Sequence, residues 1–204
     1  MTGWTVLIPV KGGPHAKSRL PEVVRGASRA ALATALAADT VAAVVGAADV
    51  ARVIVVTETP GLELPGMDGV ERWVQHAEGL NAGISEVARM LIGPCAVVLG
   101  DLPALRPADV DEALARVALA RRAVFPDAAG TGTTLLGAID GRLLPAFGQG
   151  SFARHRALGY QGLDASLRLS ADVDTERDLD RAHSLGLGAH TVAALAAVPV
   201  VSAG

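Results

Sequence analysis

The chain has 204 residues, a length that fits one domain with a substantial core. Half of the residues are hydrophobic and only 3% are aromatic, so Ala, Val, Leu and Ile must build that core. The net charge of −3 gives no electrostatic support for nucleic-acid binding, and the single cysteine excludes an internal disulfide. No uninterrupted apolar run is long enough to span a bilayer. We therefore expect a cytoplasmic protein with no nucleic-acid or membrane partner.

Short β-rich runs alternate with longer Ala- and Leu-rich runs along the chain. The predicted strands cover residues 5–10, 52–57, 70–74, 95–99, 123–126 and 166–169. The predicted helices cover residues 28–45, 80–91, 107–120, 151–158 and 175–185. This alternation predicts an α/β fold with a mainly parallel central sheet flanked by helices. A loop that enters a strand after Asp127 predicts a small antiparallel extension. We expect a single domain, residues 1–204, with residues 192–204 as a C-terminal tail.

A basic, glycine-containing loop follows the first predicted strand. It contains the following glycines and cations: Lys11, Gly12, Gly13, Lys17 and Arg19. Glycine allows close backbone approach, and cations neutralise phosphate charge, so this loop is a candidate for nucleotide phosphates. Lys17 and Arg19 could instead be ordinary solvated surface residues.

Three carboxylates follow strands that end at the same predicted edge of the sheet. Asp101 follows the strand at 95–99, and Asp172 and Asp174 follow the strand at 166–169. Ligands of open parallel sheets bind beyond the carboxyl ends of the strands, and hard oxygen ligands suit Mg²⁺. In an extended segment, Asp172 and Asp174 would share one face. The alternatives are a simple turn at Asp101 and a helix cap at the aspartate pair.

Two further loops, residues 130–134 and 147–151, are rich in glycine and hydroxyl groups. With Ser151 at a helix N-cap, they could together hold a second phosphate or a carboxylate. From the residues alone, two simple turns are the preferred interpretation. The histidines show no metal-ligand spacing and are interpreted as surface or core residues. The chain lacks the glycine motifs of P-loop NTPases, dinucleotide-binding domains and serine hydrolases, so those classes have no support.

The combination of motifs resembles the CofC-type guanylyltransferases of coenzyme F-420 biosynthesis, within the MobA-like nucleotidyltransferases of GT-A-like fold. The residues that carry the resemblance form the following segments: 8–11, 16–20, 79–84, 100–103, 130–134, 147–151 and 172–175. They cover nearly the whole chain, in order. A Pro9-Val10-Lys11 sequence replaces the Gly-Gly pair of the MobA type, which favours the CofC branch.

This resemblance implies a reaction between GTP and a phosphorylated three-carbon acid, with release of pyrophosphate. The acid is phosphoenolpyruvate in actinobacterial members and 2-phospho-L-lactate in archaeal ones. The Ala-, Arg- and Gly-rich composition is typical of actinobacterial chains, so we expect phosphoenolpyruvate, enolpyruvyl-2-diphospho-5'-guanosine as product, and the next transferase of the pathway as a transient partner. The alternatives are 2-phospho-L-lactate, a molybdenum-cofactor-type nucleotidyltransferase with another acceptor, and a nucleotide-binding protein without catalysis.

The resemblance also implies a role for each residue of the site. Asp101, Asp172 and Asp174 would hold two Mg²⁺ ions, and Lys17, Arg19 and Asp101 would be catalytic. The acid would contact Thr133, Gly148 and Ser151. The nucleotide would contact Lys11, Lys17, Arg19, Asn81 and Gly83.

Overall fold

A computed structural model of the chain describes residues 3–11, 17, 20–21, 23–24 and 27–197. The strands are β1 (Trp4–Pro9), β2 (Val23–Val24), β3 (Ala27–Ser28), β4 (Val50–Thr57), β5 (Glu71–Val74), β6 (Cys95–Val98), β7 (Arg122–Pro126), β8 (Thr133–Ala138) and β9 (Gln161–Gly162). The helices are α1 (Arg29–Val45), α2 (Leu80–Ala88), α3 (Pro107–Ala120), α4 (Ser151–Ala157), α5 (Glu176–Leu185) and α6 (Ala189–Ala196). Over the described part of the chain, no helix is both long and apolar enough to cross a membrane.

A seven-stranded sheet with the strand order β5-β4-β1-β6-β8-β7-β9 forms the centre of the fold. β1 pairs in parallel with β4 and β6, β4 pairs in parallel with β5, and β7 pairs in parallel with β9. β8 is antiparallel to both of its neighbours, β6 and β7. The other strands of this sheet therefore share one direction, which confirms the predicted α/β class with a mainly parallel sheet and a small antiparallel extension.

Hydrophobic side chains cover both faces of the sheet. On one face, Val6 and Ile8 of β1 pack with Leu114 of α3 and with residues of α1. On the other face, Leu7 packs with Ile84 of α2. Successive residues of a strand point to opposite faces, so both faces of β1 are buried. This is why β1 appears in the sequence as a continuous apolar run and not as an alternating one.

The prediction of a strand at 166–169 is wrong. Residues 167–170 form a turn, in which Ser166 Oγ accepts a hydrogen bond from the Leu169 N–H (3.1 Å) and Ser166 O accepts one from the Ser170 N–H (3.0 Å). A serine side chain that bonds to the nearby backbone offers it an alternative to strand pairing. Asp172 and Asp174 therefore follow a turn and not the end of a strand.

The short elements β2, β3 and β9 and the helix α6 were not predicted. The segment predicted as a tail, 192–204, begins inside α6, and its residues 198–204 lie outside the described part. The buried Asp39 carboxylate fixes the start of α6, since it accepts hydrogen bonds from the N–H groups of His190 (2.9 Å) and Thr191 (2.8 Å). These bonds attach α6 to α1, which carries Asp39.

A buried threonine of α1 connects this helix to the loop after β6. Thr40 Oγ1 donates a hydrogen bond to Leu36 O (3.0 Å) and accepts one from the Leu102 N–H (2.9 Å). Both Thr40 and Leu102 are fully buried. The Thr40 hydroxyl therefore provides an acceptor for the Leu102 N–H, which water cannot reach. Leu102 directly follows Asp101 in the chain.

We expect Thr40→Val to lower the free energy of unfolding by about 1–3 kcal/mol, because it leaves the Leu102 N–H buried without an acceptor. The measurement is urea denaturation followed by circular dichroism. Thr34→Val is the matched control, since Thr34 lies in the same helix, is partly exposed and donates only to Ala30 O (3.1 Å). Equal losses in the two variants would show that the bond to Leu102 contributes nothing.

Candidate active site

The carboxyl ends of β1, β6 and β7 lie at one edge of the sheet. β6 and β7 are both antiparallel to β8, so they are parallel to each other and end on the same side. Lys11 follows β1 and is exposed, Asp101 follows β6, and Asp127 follows β7 directly. Three parallel strands thus deliver charged residues to the edge where ligands of such sheets bind.

Lys17 forms an ion pair with two of the predicted metal ligands. Its Nζ contacts Asp101 Oδ2 and lies 2.8 Å from Asp174 Oδ1. Burial alone would lower the pKa of the Lys17 ammonium, but the charges of Asp101 and Asp174 outweigh burial and raise that pKa above its usual value. The structure therefore places Lys17, which comes from the segment after β1, beside two carboxylates that are distant in the sequence.

The surroundings of Asp172 disfavour the ionised form of its carboxyl group. Burial, followed by the charges of Asp101, Asp127 and Asp174, raises its pKa to about 7, although Lys17 acts in the opposite direction. The Val173 N–H donates a hydrogen bond to Asp101 O (3.1 Å), which attaches the aspartate pair to the loop after β6. Val173 is fully buried between two partly exposed neighbours, so Asp172 and Asp174 share one face as expected.

Asp127 belongs to this site, and the sequence analysis missed it. Its two carboxylate oxygens accept hydrogen bonds from the N–H groups of Thr131 (2.9 Å) and Gly132 (2.8 Å), and its charge acts on Asp172. The signal was present in the sequence, because Asp127 follows a predicted strand in the same way as Asp101 does. Asp127 thus connects the acidic cluster to the glycine-rich loop at 130–134.

The carboxylate oxygens of these acidic residues are chemically suited to bind a hard divalent cation. Among the described residues, the buried Asp101 Oδ1 has no hydrogen-bond partner, and burial together with the neighbouring negative charges raises the pKa of Asp172. Within the described ranges, however, no group of three Asp, Glu, His or Cys side chains is already gathered as a metal site. Binding of Mg²⁺ by Asp101, Asp172 and Asp174 therefore stays a prediction.

The two glycine-rich loops meet beside the acidic cluster. Ser151 Oγ donates a hydrogen bond to Thr133 Oγ1 (3.1 Å), and the Phe152 N–H donates one to Thr131 O (3.1 Å). Gly148, with φ of 121°, adopts a conformation that favours glycine, and its carbonyl accepts a bond from the Ser151 N–H (3.0 Å). The two loops therefore contact each other, and their binding of a phosphate or a carboxylate stays a prediction. The predicted cap is wrong, since Gly150 is the N-cap of α4 and the Ser151 hydroxyl bonds to Thr133.

The residues predicted to contact the nucleotide have structural partners of their own. The Asn81 side chain bonds to both backbone groups of Phe147, through Nδ2 to O (3.1 Å) and from the Phe147 N–H to Oδ1 (2.7 Å). Gly83 lies within α2, where its N–H donates to Gly79 O (3.0 Å) and its missing side chain leaves room for Gln75. A contact of Asn81 or Gly83 with a nucleotide stays a prediction.

His155 and Arg19 are two further residues for which the sequence analysis made a prediction. His155, interpreted from sequence as a surface or core residue, is fully buried and bonds to Thr133 (3.0 Å). Arg19, predicted to be catalytic and nucleotide-binding, lies outside the described residues, as do Gly12 and Gly13.

The fold is shared with solved structures of low sequence identity. A protein from Desulfovibrio desulfuricans G20 assigned to the nucleotide-diphospho-sugar transferases has a TM-score of 0.62 at 18% identity, over 88% of this chain and 86% of that chain. A 4-diphosphocytidyl-2C-methyl-D-erythritol synthase has a TM-score of 0.60 at 11% identity, over 91% of this chain and 99% of the other. These likenesses show a nucleotidyltransferase-like α/β fold.

Fold and sequence comparison together define the chain as a nucleotidyltransferase. The chain belongs to the CofC-like guanylyl transferase family, whose family model matches residues 4–200. A protein named phosphoenolpyruvate guanylyltransferase from Streptomyces avermitilis is 43% identical over 203 residues, which cover 95% of this chain and 94% of that protein. A protein of the same name from Salinispora arenicola is 44% identical over 195 residues, which cover 92% of this chain and 91% of the other.

We expect Asp172 to make the metal-free protein less stable as the pH rises. Because the pKa of Asp172 is raised from its usual 3.8 to about 7 on folding, the folded protein binds a proton more tightly than the unfolded chain does. Between those two values, a rise in pH therefore favours the unfolded chain. The Asp172→Asn substitution removes this loss of stability at higher pH.

The measurement is urea denaturation of both proteins in a chelating buffer at pH 5 and at pH 8. The variant should gain stability relative to the wild type at the higher pH. Asp140→Asn is the control, since Asp140 pairs with Arg122 (2.8 Å) at the other edge of the sheet. A pH-independent difference between wild type and Asp172→Asn would contradict the assignment.

Proposed function

We propose that this protein transfers the guanylyl group of GTP to phosphoenolpyruvate, in coenzyme F-420 biosynthesis. The reaction would yield enolpyruvyl-2-diphospho-5'-guanosine and pyrophosphate. The observation that carries this proposal is the match to phosphoenolpyruvate guanylyltransferases at 43% identity over 95% of the chain. The site supports it, because a lysine–carboxylate cluster adjoins a buried pair of hydroxyl groups at one sheet edge.

In the proposed reaction, a phosphate oxygen of phosphoenolpyruvate attacks the α-phosphorus of GTP. A new P–O bond forms, the bond between the α-phosphorus and the bridging oxygen breaks, and pyrophosphate leaves with the electron pair. The attacking oxygen is already ionised at neutral pH, so no side chain has to remove a proton. Transfer of this kind depends mainly on positioning and on neutralising phosphate charge.

The protein's own groups have separate tasks in this scheme. Lys17, which already neutralises carboxylates at this edge, would also offset charge on the departing pyrophosphate, together with Arg19. Lys11, exposed after β1, would contact the nucleotide phosphates. The hydroxyls of Thr133 and Ser151 and the backbone at Gly148 would bind the acid. None of these groups acts as a nucleophile.

Asp101, Asp172 and Asp174 would hold two Mg²⁺ ions. When bound, Mg²⁺ neutralises phosphate charge and makes the α-phosphorus more electrophilic. Each of the three carboxylates must be ionised for this purpose. For Asp172, that requirement is met more fully as the pH rises above about 7. The product, an enolpyruvyl diphosphate ester, would then pass to the next transferase of the pathway.

The test of the proposed function is pyrophosphate release from GTP and Mg²⁺ with either phosphoenolpyruvate or 2-phospho-L-lactate. The assay is coupled to the next transferase and its deazaflavin acceptor, so that a labile product does not accumulate. We expect turnover with phosphoenolpyruvate and product of the expected mass. Turnover with 2-phospho-L-lactate alone would name the other acid as substrate, and binding of GTP without turnover would contradict the proposal.

We expect Asp101→Asn and Asp174→Asn each to lower kcat/KM by about 100-fold or more, since each removes a charge from the group that would hold the cation. Steady-state rates over a range of Mg²⁺ concentrations measure the effect. Asp140→Asn, which changes a carboxylate at the opposite edge, should keep full activity. Activity close to that of the wild type in both site variants would exclude their role as metal ligands.

A further inference from the structure

A buried chain of three polar side chains connects β8 to α4 next to the loop that precedes α4. Thr133, Ser151 and His155 are each at most 3% exposed, and they lie on β8 and on the first two turns of α4. His155 Nδ1 lies 3.0 Å from Thr133 Oγ1, and Ser151 Oγ lies 3.1 Å from the same oxygen. Polar groups buried so deeply need fixed partners.

The backbone determines which nitrogen of His155 carries the proton. The Ala146 N–H points its hydrogen at His155 Nε2 (2.9 Å), and a backbone N–H can only donate. Nε2 is therefore the acceptor nitrogen of a neutral imidazole, and the proton lies on Nδ1. The ring is enclosed edge-to-face by Phe147 and Tyr160, at centroid distances of 5.0 and 6.0 Å.

The charge state of the ring agrees with this geometry. Burial, assisted by the nearby charge of Arg154, lowers the pKa of His155 to about 4, so the imidazole is neutral at physiological pH. A neutral ring with Nε2 occupied as acceptor can only donate through Nδ1. Its partner on that side is Thr133 Oγ1.

The hydroxyl of Thr133 is thereby left with one direction for its own hydrogen. Its oxygen accepts from His155 Nδ1–H and from Ser151 Oγ–H, which uses both acceptor positions of a hydroxyl. The Thr133 O–H must then donate to a third group. A ligand that offers an acceptor oxygen at this position meets a donor that does not have to reorient.

We propose that His155 is a positioning residue that makes Thr133 a fixed hydrogen-bond donor to an anionic oxygen of the phosphorylated acid. This inference rests on the proposed function. It extends the proposed acid-binding site to His155, a residue that touches no substrate. His155 also helps to hold the segment before α4 in place. Its Nε2 accepts a hydrogen bond from the Ala146 N–H, and Asn81 bonds to the next residue, Phe147.

Two isosteric variants separate the two bonds of His155. In His155→Gln, the side-chain amide reaches the Nε2 position and keeps an acceptor for Ala146, but the donor to Thr133 is lost. In His155→Asn, an amide N–H remains at the Nδ1 position. We expect His155→Gln to raise KM for phosphoenolpyruvate about tenfold, because the Thr133 hydroxyl is no longer held as a donor to the anion, with KM for GTP unchanged. His155→Asn should recover part of that loss.

A double-mutant cycle then asks whether His155 acts through Thr133. Thr133→Val alone should raise KM for phosphoenolpyruvate, and adding His155→Gln to it should have little further effect. His183→Gln, a change at an exposed position of α5, controls for the substitution itself. Melting temperatures identify any variant that has lost its fold. Independent, additive effects on KM, or an equal rise in KM for GTP, would overturn the proposal.

A spectroscopic measurement tests the tautomer of His155 directly and without substrate. Two-bond ¹H–¹⁵N correlation spectra at neutral pH should show a neutral Nδ1–H tautomer whose signal disappears in His155→Gln. The disappearance assigns the signal, since Nδ1 of the exposed His76 also faces an acceptor, Glu86 Oε1 (2.6 Å). An Nε2–H tautomer or a charged ring at His155 would overturn the inference. Absence of wild-type turnover would count against the proposed function instead, since the tautomer is measured without substrate.

Discussion

Negative charge at the carboxyl edge of the sheet is the constraint on which the rest of the site depends. The charges of Asp101, Asp127 and Asp174 act on Asp172 there, and Lys17 pairs with Asp101 and Asp174. The result is visible at Asp172, whose pKa rises to about 7 because burial and the neighbouring carboxylates disfavour its charge. A site in this condition is suited to take up further positive charge. The hydrogen bond from the Val173 N–H to Asp101 O and the ion pairs of Lys17 both connect the two acidic segments.

The other half of the site is held together by hydrogen bonds and carries little charge. Asn81 bonds to both backbone groups of Phe147, His155 bonds to Ala146 and Thr133, and Arg154 Nη2 bonds to Ala146 O (2.9 Å). These contacts fix the loop from two separate elements, α2 and α4. Asp127 connects the two halves, since its carboxylate binds the N–H groups next to Thr133 while its charge acts on Asp172.

The sequence predicts well what depends on local pattern. Apolar runs and helix signals located the long elements. The helix predicted from residue 28 begins at Arg29, after its N-cap Ser28, whose Oγ accepts a hydrogen bond from the Ala31 N–H (3.2 Å). The direction of the strands then placed Asp101 at the correct edge. Contacts that depend on tertiary packing were not accessible in this way. The bond between Thr133 and His155 joins positions 22 residues apart and has no sequence motif, and the turn at 167–170 depends on one serine hydroxyl.

The division of the site into a charged half and a hydrogen-bonded half bears on the choice of acid. Phosphoenolpyruvate and 2-phospho-L-lactate both carry a phosphate and a carboxylate, so the charged half cannot distinguish them. They differ in shape, because the carbon that bears the phosphate is planar in the first and tetrahedral in the second. Discrimination must therefore come from donors with fixed directions. Thr133, Ser151 and His155 form a buried network of this kind, since each is enclosed and bonded. In the proposed reaction, rigid hydrogen bonding, and not charge, would thus be the physical basis on which this site selects its acid.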